Sequence, residues 1–278
     1  MNFYDHYRWL TDLDALLKIW VINLKSRPDR LERIAKELNQ MGINWSRFEA
    51  IDGKKCEKKH LDISTAYGKI GELSDGTRAC SASHYKCWQE FLSSNAEFGI
   101  FLEDDVQLSL DFKKLIEDLS WLPKKTNIIK LEKFSANRPS KLLLGPVISK
   151  TISGTRETRR MYSRHCGAGA YLMSKNGAIK AVNFEKPFLI PVDHLLFNET
   201  VSKLVTSMKP LILIPPIAWQ SDEIGQGSDI TKFKVAHMGR LKKLFRSIKR
   251  GYYELRLLPY QLFLLLIRKA KIISVSKK

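Results

Sequence analysis

Short apolar stretches alternate with amphipathic ones along this chain, a pattern typical of strands followed by helices. Residues 18–24 (KIWVINL) and 98–102 (FGIFL) are apolar runs of strand length. Residues 27–40 place apolar side chains at helical spacing behind Pro28, and Thr77 is expected to cap a helix that ends near residue 94. Further strands are predicted at 46–51, 127–132, 168–173 and 211–214, with Ser174 capping a helix after the third of these. The alternation predicts an α/β sheet protein with flanking helices.

Three acidic residues, Glu103, Asp104 and Asp105, directly follow the strand at 98–102. Desolvating a carboxylate at the end of a core strand is costly unless a partner compensates its charge. Carboxylate oxygens suit Mg²⁺ or Mn²⁺, and a phosphate group can share such a cation. The triplet therefore predicts a metal and phosphate site. The alternative is that these acids cap the next helix or face water.

Other polar residues follow predicted strands, where ligands of α/β sheets bind. Asn23 and Leu24 end the first strand, and Arg27 and Arg30 come next. Arginine matches phosphate oxygens with two parallel hydrogen bonds, although these two residues also fit a solvated helix face. Asp52 precedes Gly53 in a predicted tight turn, where it is available to a ribose or uracil or serves only the turn.

Length, composition and cysteine spacing exclude several classes of protein. The chain has 278 residues, of which 44% are hydrophobic, so it can bury a core and is not a disordered composition. Its four cysteines show no CxxC spacing, which argues against a structural zinc site and favours a reducing compartment. The first ten residues lack an apolar signal-peptide core, and no run approaches the roughly 18 apolar residues of a spanning helix. These features predict a cytoplasmic protein.

The positive charge is concentrated at the C-terminal end. The net charge is +18, and residues 240–278 hold 12 lysines and arginines against one acid, Glu254. Apolar residues in this region recur at helical spacing. Residues 236–278 are therefore predicted to form a basic amphipathic helical tail that associates with an anionic membrane surface. The alternative is a terminal helix packed on the domain. Nucleic-acid binding is not expected, because no nucleic-acid-binding module is recognisable.

Six motifs occur in an order that resembles glycosyltransferase family 25, the bacterial lipooligosaccharide galactosyltransferases. They are VINLKSRPDR (21–30), FEAIDG (48–53), ACSASHYKCW (79–88), FLEDDV (101–106), GAGAYLMSKNGA (167–178) and PVDHLLFN (191–198). The resemblance covers roughly residues 18–230. It implies a GT-A-type nucleotide-sugar-binding sheet in a catalytic domain of residues 1–235, a UDP-sugar donor, a divalent cation (Mn²⁺ or Mg²⁺), an acceptor on the lipid A core and inversion at the anomeric carbon.

The resemblance also implies roles for individual residues. Asp105 is expected to bind the metal, with Glu103 as the next ligand, since Glu103 and Asp105 have the spacing of the DxD motif of GT-A enzymes. Asp104 is assigned to a ribose contact or to holding an arginine. The residues assigned to donor binding are Asn23, Leu24, Arg27, Arg30, Asp52, Ser83 and His84.

Inversion requires a base that removes the proton of the acceptor hydroxyl. Asp193 fits this role because it follows Ile190-Pro191-Val192 and precedes a helical run, although it also fits a helix N-cap. Asp222 and Glu223 are the alternative bases, and His237 is a possible further metal ligand.

The sequence thus predicts an inverting, metal-assisted glycosyltransferase at the inner face of the cytoplasmic membrane. The expected enzyme transfers a hexose, with galactose favoured over glucose, from a UDP-sugar to a lipooligosaccharide core saccharide. One alternative is another metal-dependent nucleotide enzyme such as a nucleotidyltransferase, but NLKSRPDR has no glycine-rich phosphate loop. The other is a non-catalytic protein that binds the membrane surface.

Overall fold

A mixed β-sheet lies at the centre of the molecule. The computed structural model describes residues 16–54, 67–68, 71–133, 139–184, 190–220 and 240–276. Over these ranges the chain forms, in order, β1 (Leu17–Asn23), α1 (Pro28–Gln40), β2 (Ser46–Glu49), β3 (Tyr67–Gly68), β4 (Gly71–Glu72), α2 (Asp75–Leu92), β5 (Phe98–Glu103), β6 (Val106–Leu108), α3 (Phe112–Glu117), β7 (Ile128–Lys130), β8 (Glu132–Lys133), β9 (Ser140–Lys150), β10 (Glu157–Met161), β11 (Ala170–Ser174), α4 (Lys175–Val182), α5 (Val192–Phe197), α6 (Lys203–Met208), β12 (Leu211–Ile214), β13 (Ala218–Gln220), α7 (Arg240–Leu266) and β14 (Lys271–Val275).

Nine of these strands form the central sheet in the order β14-β9-β10-β12-β7-β11-β5-β1-β2. Strands β2, β1 and β5 are mutually parallel, whereas β11 runs antiparallel to both β5 and β7. A second sheet of three strands, β6-β13-β8, lies beside the carboxyl end of β5. The predicted α/β sheet with flanking helices is confirmed.

The central strands are apolar throughout because both faces of the sheet are covered. Along β1, Trp20 and Ile22 pack into one core with Phe101 of β5, while Ile19 and Val21 pack into a second core on the opposite face. Side chains alternate across a strand, so burial of both faces requires a continuous apolar run. This is why the runs at 18–24 and 98–102 predicted strands correctly.

Helix α2 begins differently from the prediction. Ser74, not Thr77, is the N-cap, and its hydroxyl accepts a hydrogen bond from the backbone N–H of Thr77 at 3.2 Å. Ser74 has the extended backbone of a capping residue, whereas Thr77 already lies within the helix. The predicted cap of the later helix is confirmed, since Ser174 accepts from the N–H of Gly177 at 3.1 Å.

The C-terminal region departs from the predicted helical tail. Helix α7 is present, but residues 271–275 form β14, which pairs antiparallel with β9 at the edge of the central sheet. Val275 is fully buried in the main core, and Leu264 and Ala270 pack with Leu143. The expectation of a helix throughout the tail was wrong for this segment, because Ile272, Ile273 and Val275 are β-branched residues that complete an existing sheet edge. Strands β13 and β14 follow the predicted strand at 211–214.

Helix α7 does not have the character of a membrane span. No helix within the described ranges combines the length and the apolar composition needed to cross a bilayer.

Candidate active site

The predicted acidic triplet lies where two parallel strands end. Glu103 is the last residue of β5, and Asp104 and Asp105 form the turn that leads into β6. The backbone N–H of Glu103 donates to the carbonyl of Gly169 at 2.7 Å, which fixes this turn beside the start of β11. Asn23 ends the neighbouring strand β1. The three acids therefore lie at the carboxyl edge of the sheet, as their position after an apolar run predicted.

Asp104 points into the protein and holds the turn in place. Its carboxylate accepts from Nδ2 of Asn23 at 2.8 Å and from Nη1 of Arg30 at 3.3 Å, and all three side chains are buried. Its backbone carbonyl accepts from Nη2 of Arg33 at 2.7 Å. Of the two roles predicted for Asp104, the structure shows the one in which it holds an arginine. Arg30 also lies 3.9 Å from Asp105 and so places a positive charge beside the outer carboxylate.

The other residues after β1 shape the same corner. Asn23 donates to the backbone carbonyl of Arg27 at 2.9 Å and accepts from Nε of Arg47 at 3.2 Å. The backbone N–H of Arg27 donates to the carbonyl of Leu24 at 2.9 Å. The guanidinium of Arg27 forms two hydrogen bonds with Asp29 and holds the pKa of that carboxyl at about 2. These contacts build the turn from β1 into α1.

A chain of buried hydrogen bonds orients Glu103. Trp88 donates from Nε1 to the Tyr171 hydroxyl at 2.8 Å, and that hydroxyl lies 2.8 Å from Nδ1 of His84. An indole nitrogen only donates, so the Tyr171 oxygen accepts from Trp88. Nε2 of His84 lies 3.2 Å from Oε1 of Glu103, so the imidazole connects Tyr171 to Glu103 by one hydrogen bond at each ring nitrogen. Burial lowers the pKa of His84 to about 4, so the imidazole is neutral at pH 7.

The two outer carboxyls hold their protons more tightly than ordinary acids. Burial, followed by the negative charge of Glu132, raises the pKa of Glu103 to about 8. Burial and the neighbouring Glu103 raise the pKa of Asp105 to about 7. Oδ1 of Asp105 is buried and has no hydrogen-bond partner among the residues that the structure describes. A positive ligand at this point would relieve both the desolvation and the mutual repulsion.

Glu132 belongs to this cluster although the sequence analysis did not single it out. It is fully buried, and its Oε1 accepts from Nζ of Lys130 at 2.9 Å and from the N–H of Gly169 at 2.8 Å. Oε2 has no partner in the described part of the chain. A Cβ on residue 169 would lie 2.6 Å from that oxygen and 2.8 Å from Cγ1 of Val106, so a larger residue there would displace these side chains. The available signal was a lysine and a glutamate two residues apart within an apolar strand, IIKLEK, where a buried pair on one face is expected.

Asp193 lies on the far side of the same cluster. Helix α5 begins after Pro191, so Asp193 occupies the first turn and is not the N-cap. Its Oδ1 accepts from the N–H of His194 at 2.9 Å, and its Oδ2 accepts from the N–H of Gly167 at 3.3 Å. Its charge acts on both Glu103 and His84, where it raises the pKa of each. The structure thus brings the predicted base into the neighbourhood of the predicted metal ligands.

Two further predicted residues serve local structure. Oδ1 of Asp52 accepts from the backbone N–H of Lys54 at 2.9 Å, which is the contact of a turn residue. Ser83 is buried, accepts from the N–H of Ile51 at 2.8 Å and donates to the carbonyl of Ala79 at 2.7 Å. Ser83 therefore fastens the segment before Asp52 to helix α2. Asp222, Glu223 and His237 lie outside the described residues.

The chain is similar to several known proteins. The chain is 29% identical over 192 residues to the lipooligosaccharide biosynthesis protein lic2B of Haemophilus influenzae, which covers 64% of this chain and 69% of that protein. It is 28% identical over 195 residues to procollagen galactosyltransferase 1-B of Xenopus laevis, covering 64% of this chain but 30% of that protein. A Bos taurus relative described as a probable inactive glycosyltransferase 25 family member 3 is 30% identical over 112 residues, covering 37% of this chain and 18% of that protein.

The family model described as glycosyltransferase family 25 (LPS biosynthesis protein) matches residues 16–196. That range contains β1, the acidic triplet, Glu132, Gly169 and Asp193. Because the match spans more than half of the 278 residues, the chain belongs to glycosyltransferase family 25.

Proposed function

We propose that this chain transfers a hexose from a UDP-sugar to a core saccharide of lipooligosaccharide, with inversion at the anomeric carbon. Galactose is the favoured hexose and glucose the second choice. The observation that carries the proposal is the buried, unpartnered Oδ1 of Asp105 beside Glu103, at the edge of the sheet where ligands bind. Family membership and the names of the relatives support the reaction class and the kind of acceptor.

The donor set fits a hard divalent cation, Mn²⁺ or Mg²⁺. Asp105 and Glu103 would hold it with carboxylate oxygens, the ligands that both metals prefer. Their raised pKa values, about 7 and about 8, are what two desolvated acids show when no cation compensates them. A cation bound there supplies positive charge that neutralises the departing diphosphate. Asp104 is held by Asn23 and Arg30 and supports the turn.

Asp193 is proposed as the general base. The N–H of Gly167 orients Oδ2, and that N–H is itself positioned because the Gly167 carbonyl accepts from buried Lys130. Lys130 is in turn fixed by Glu132 and lies 4.5 Å from the centre of the Phe197 ring. The carboxylate is thereby held near Glu103, on whose pKa its charge acts, and there it would take the proton of the acceptor hydroxyl. Direct nucleotide contacts of Arg27 and Arg30 stay predictions, since both guanidinium groups are engaged with acids here.

Helix α7 supports the proposal that the protein works at the inner face of the cytoplasmic membrane. Apolar side chains recur along it at helical spacing and are exposed: Ile248, Tyr252, Leu255, Leu262 and Leu266. The surrounding sequence carries 12 basic residues and one acid over 240–278. Anionic lipid attracts each nearby cation by about 1 kcal/mol, while the exposed leucines enter the acyl boundary. Residence at this surface raises the local concentration of a lipid-linked acceptor.

Family 25 membership argues against the nucleotidyltransferase alternative. The non-catalytic alternative is favoured by one observation, the relative described as probably inactive. A panel of UDP-hexoses incubated with a lipid A core acceptor, with the products weighed by mass spectrometry, separates it from the proposed transferase. A mass increase of one hexose supports the transferase, and its absence with every donor supports a binding protein.

Asp105→Asn should change how the stability of the metal-free protein depends on pH. The pKa of Asp105, about 7 in the folded protein, lies above its ordinary value of 3.8, so the folded state binds the extra proton between these values. Stability conferred by this proton is therefore present below pH 4 and is lost as the pH rises through about 7. We expect the melting temperature of the variant, relative to that of the wild type, to increase from pH 4 to pH 8 in the presence of chelator. Exposed Asp118→Asn is the control, and parallel curves for all three proteins would contradict the burial of charge at Asp105.

Asp193→Asn should lower kcat far more than it weakens donor binding. An amide keeps the shape and the Gly167 contact but cannot take a proton, and general bases contribute on the order of 10² to 10⁴ in rate. Transfer kinetics and UDP titration of the same preparation give the two quantities. Glu199→Gln, a half-buried acid near the same helix, is the matched control. A collapse of UDP affinity, or an equal kcat loss in the control, would place the base elsewhere.

Replacing Leu255 and Leu262 by serine should release the protein from anionic vesicles. These side chains are 64% and 50% exposed, so the change leaves the core and strand β14 intact, which deletion of the whole tail would not. Loss of two inserted leucines should weaken binding about tenfold or more. Co-sedimentation with phosphatidylserine liposomes measures it, and higher salt should weaken wild-type binding as well. Ile152→Ser, at an exposed site away from the helix, should bind as wild type does. Equal binding by all forms would refute the proposal that helix α7 binds the membrane surface.

A further inference from the structure

We propose that Cys80, His84 and Glu103 form a soft divalent-metal site suited to Zn²⁺, which shares Glu103 with the proposed donor-metal site. Zinc bound there would inhibit transfer by withdrawing Glu103. The inhibitory consequence rests on the proposed function, whereas the binding of zinc does not.

The three side chains converge from two elements of the fold. Cys80 and His84 are four residues apart on α2 and therefore project from one face of the helix. Glu103 meets them from the end of β5. Their ligand atoms all lie within 4.8 Å of one another. A helical pair at this spacing joined by a third ligand from elsewhere is a geometry that zinc sites use.

The two contacts of Glu103 have nearly the distances of a tetrahedral site. Oε1 of Glu103 lies 3.2 Å from Nε2 of His84 and 3.9 Å from Sγ of Cys80. Zinc bonds of about 2.0 Å to nitrogen or oxygen and about 2.3 Å to sulfur require ligand atoms roughly 3.3–3.6 Å apart. Closing the site therefore requires shifts of only a few tenths of an ångström for the two contacts with Glu103. Cys80 is not in a disulfide and is half-buried, so its sulfur is reachable from solvent without unfolding.

The chemistry of the ligands selects the metal. Thiolate, imidazole and carboxylate together favour Zn²⁺, whereas Mg²⁺ and Mn²⁺ prefer oxygen alone. The same corner would thus hold a hard cation through Glu103 and Asp105, or a soft one through Glu103, His84 and Cys80. Since Glu103 serves both sets, the two ions compete.

Binding requires each ligand atom to be without a proton. The Glu103 carboxyl and the Cys80 thiol release their protons to solvent as the zinc–oxygen and zinc–sulfur bonds form. Nε2 of His84 donates its lone pair to zinc, so the ring proton lies on Nδ1 in the bound state. The Tyr171 oxygen, which has two acceptor sites, then accepts from both Trp88 and Nδ1 of His84. A partner of this kind on the second ring nitrogen orients the imidazole in metal sites.

Titration of the full-length chain with Zn²⁺ and with Co²⁺ tests the site without any transfer assay. We expect one tight zinc equivalent and a near-ultraviolet sulfur-to-cobalt charge-transfer band. Cys80→Ser should abolish the band and weaken zinc binding by more than the roughly 10- to 100-fold that loss of a secondary contact costs. Cys166 is also half-buried and outside any disulfide, and Cys166→Ser should retain both signals. Equal zinc affinity in wild type and Cys80→Ser, or a cobalt spectrum without the band, would overturn the proposal.

Inhibition is measured separately, as transfer at fixed Mn²⁺ with increasing Zn²⁺. Zinc should inhibit the wild type competitively with Mn²⁺, and Cys80→Ser should require at least about tenfold more zinc for the same inhibition. If zinc binding depends on Cys80 but does not change the transfer rate, the proposed competition with Mn²⁺ is wrong and the proposed zinc site stands. A protein without any transfer activity would refute the proposed function and leave the binding result standing.

Discussion

The structure depends on several largely buried carboxylates that lie together at the carboxyl end of a core strand. Glu132 is fully buried, and the side chains of Glu103 and Asp105 are each only 22% exposed. Burial, together with mutual repulsion, raises the pKa of Glu103 to about 8 and that of Asp105 to about 7. The protein compensates part of this charge internally: Arg30 lies beside Asp104 and Asp105, and Lys130 is paired with Glu132. One buried oxygen of Asp105 and one of Glu132 have no hydrogen-bond partner among the described residues. An external cation can compensate the charge at these oxygens.

The rest of the site is built around this constraint. The Trp88–Tyr171–His84 chain orients Glu103, and the Lys130–Glu132 pair orients the Gly167–Gly169 segment, which in turn contacts Asp193. Each of these sets of hydrogen bonds joins residues from different secondary structure elements. The helices, the sheet and the two glycines are therefore needed together. The same arrangement explains why a hard and a soft cation would both be attracted to Glu103.

Sequence reasoning recovered the features that depend on local pattern. Apolar runs located β1 and β5, and the three acids after β5 located the site. It did not recover β9, β10 and β14, since β10 (ETRRM) is mostly polar and β14 is a strand only because β9 offers an edge. Glu132 and Cys80 were missed for a related reason: their neighbours in space come from other elements, and no spacing in the sequence reveals a contact between a helix and a distant strand end. Ser83 was predicted to bind the donor, and its hydrogen bonds to Ile51 and Ala79 could not be seen in the sequence.

We propose that Asp105 and Glu103 hold a cation to which the donor diphosphate binds. Calorimetric titration of UDP into the wild type, Asp105→Asn and Asp118→Asn, each with Mn²⁺ and with chelator, tests this proposal. Mn²⁺ should tighten UDP binding by at least about tenfold, roughly 1.4 kcal/mol, in the wild type and in Asp118→Asn, and not in Asp105→Asn. Equal UDP affinity of the wild type with and without Mn²⁺, or a full Mn²⁺ effect in Asp105→Asn, would contradict it.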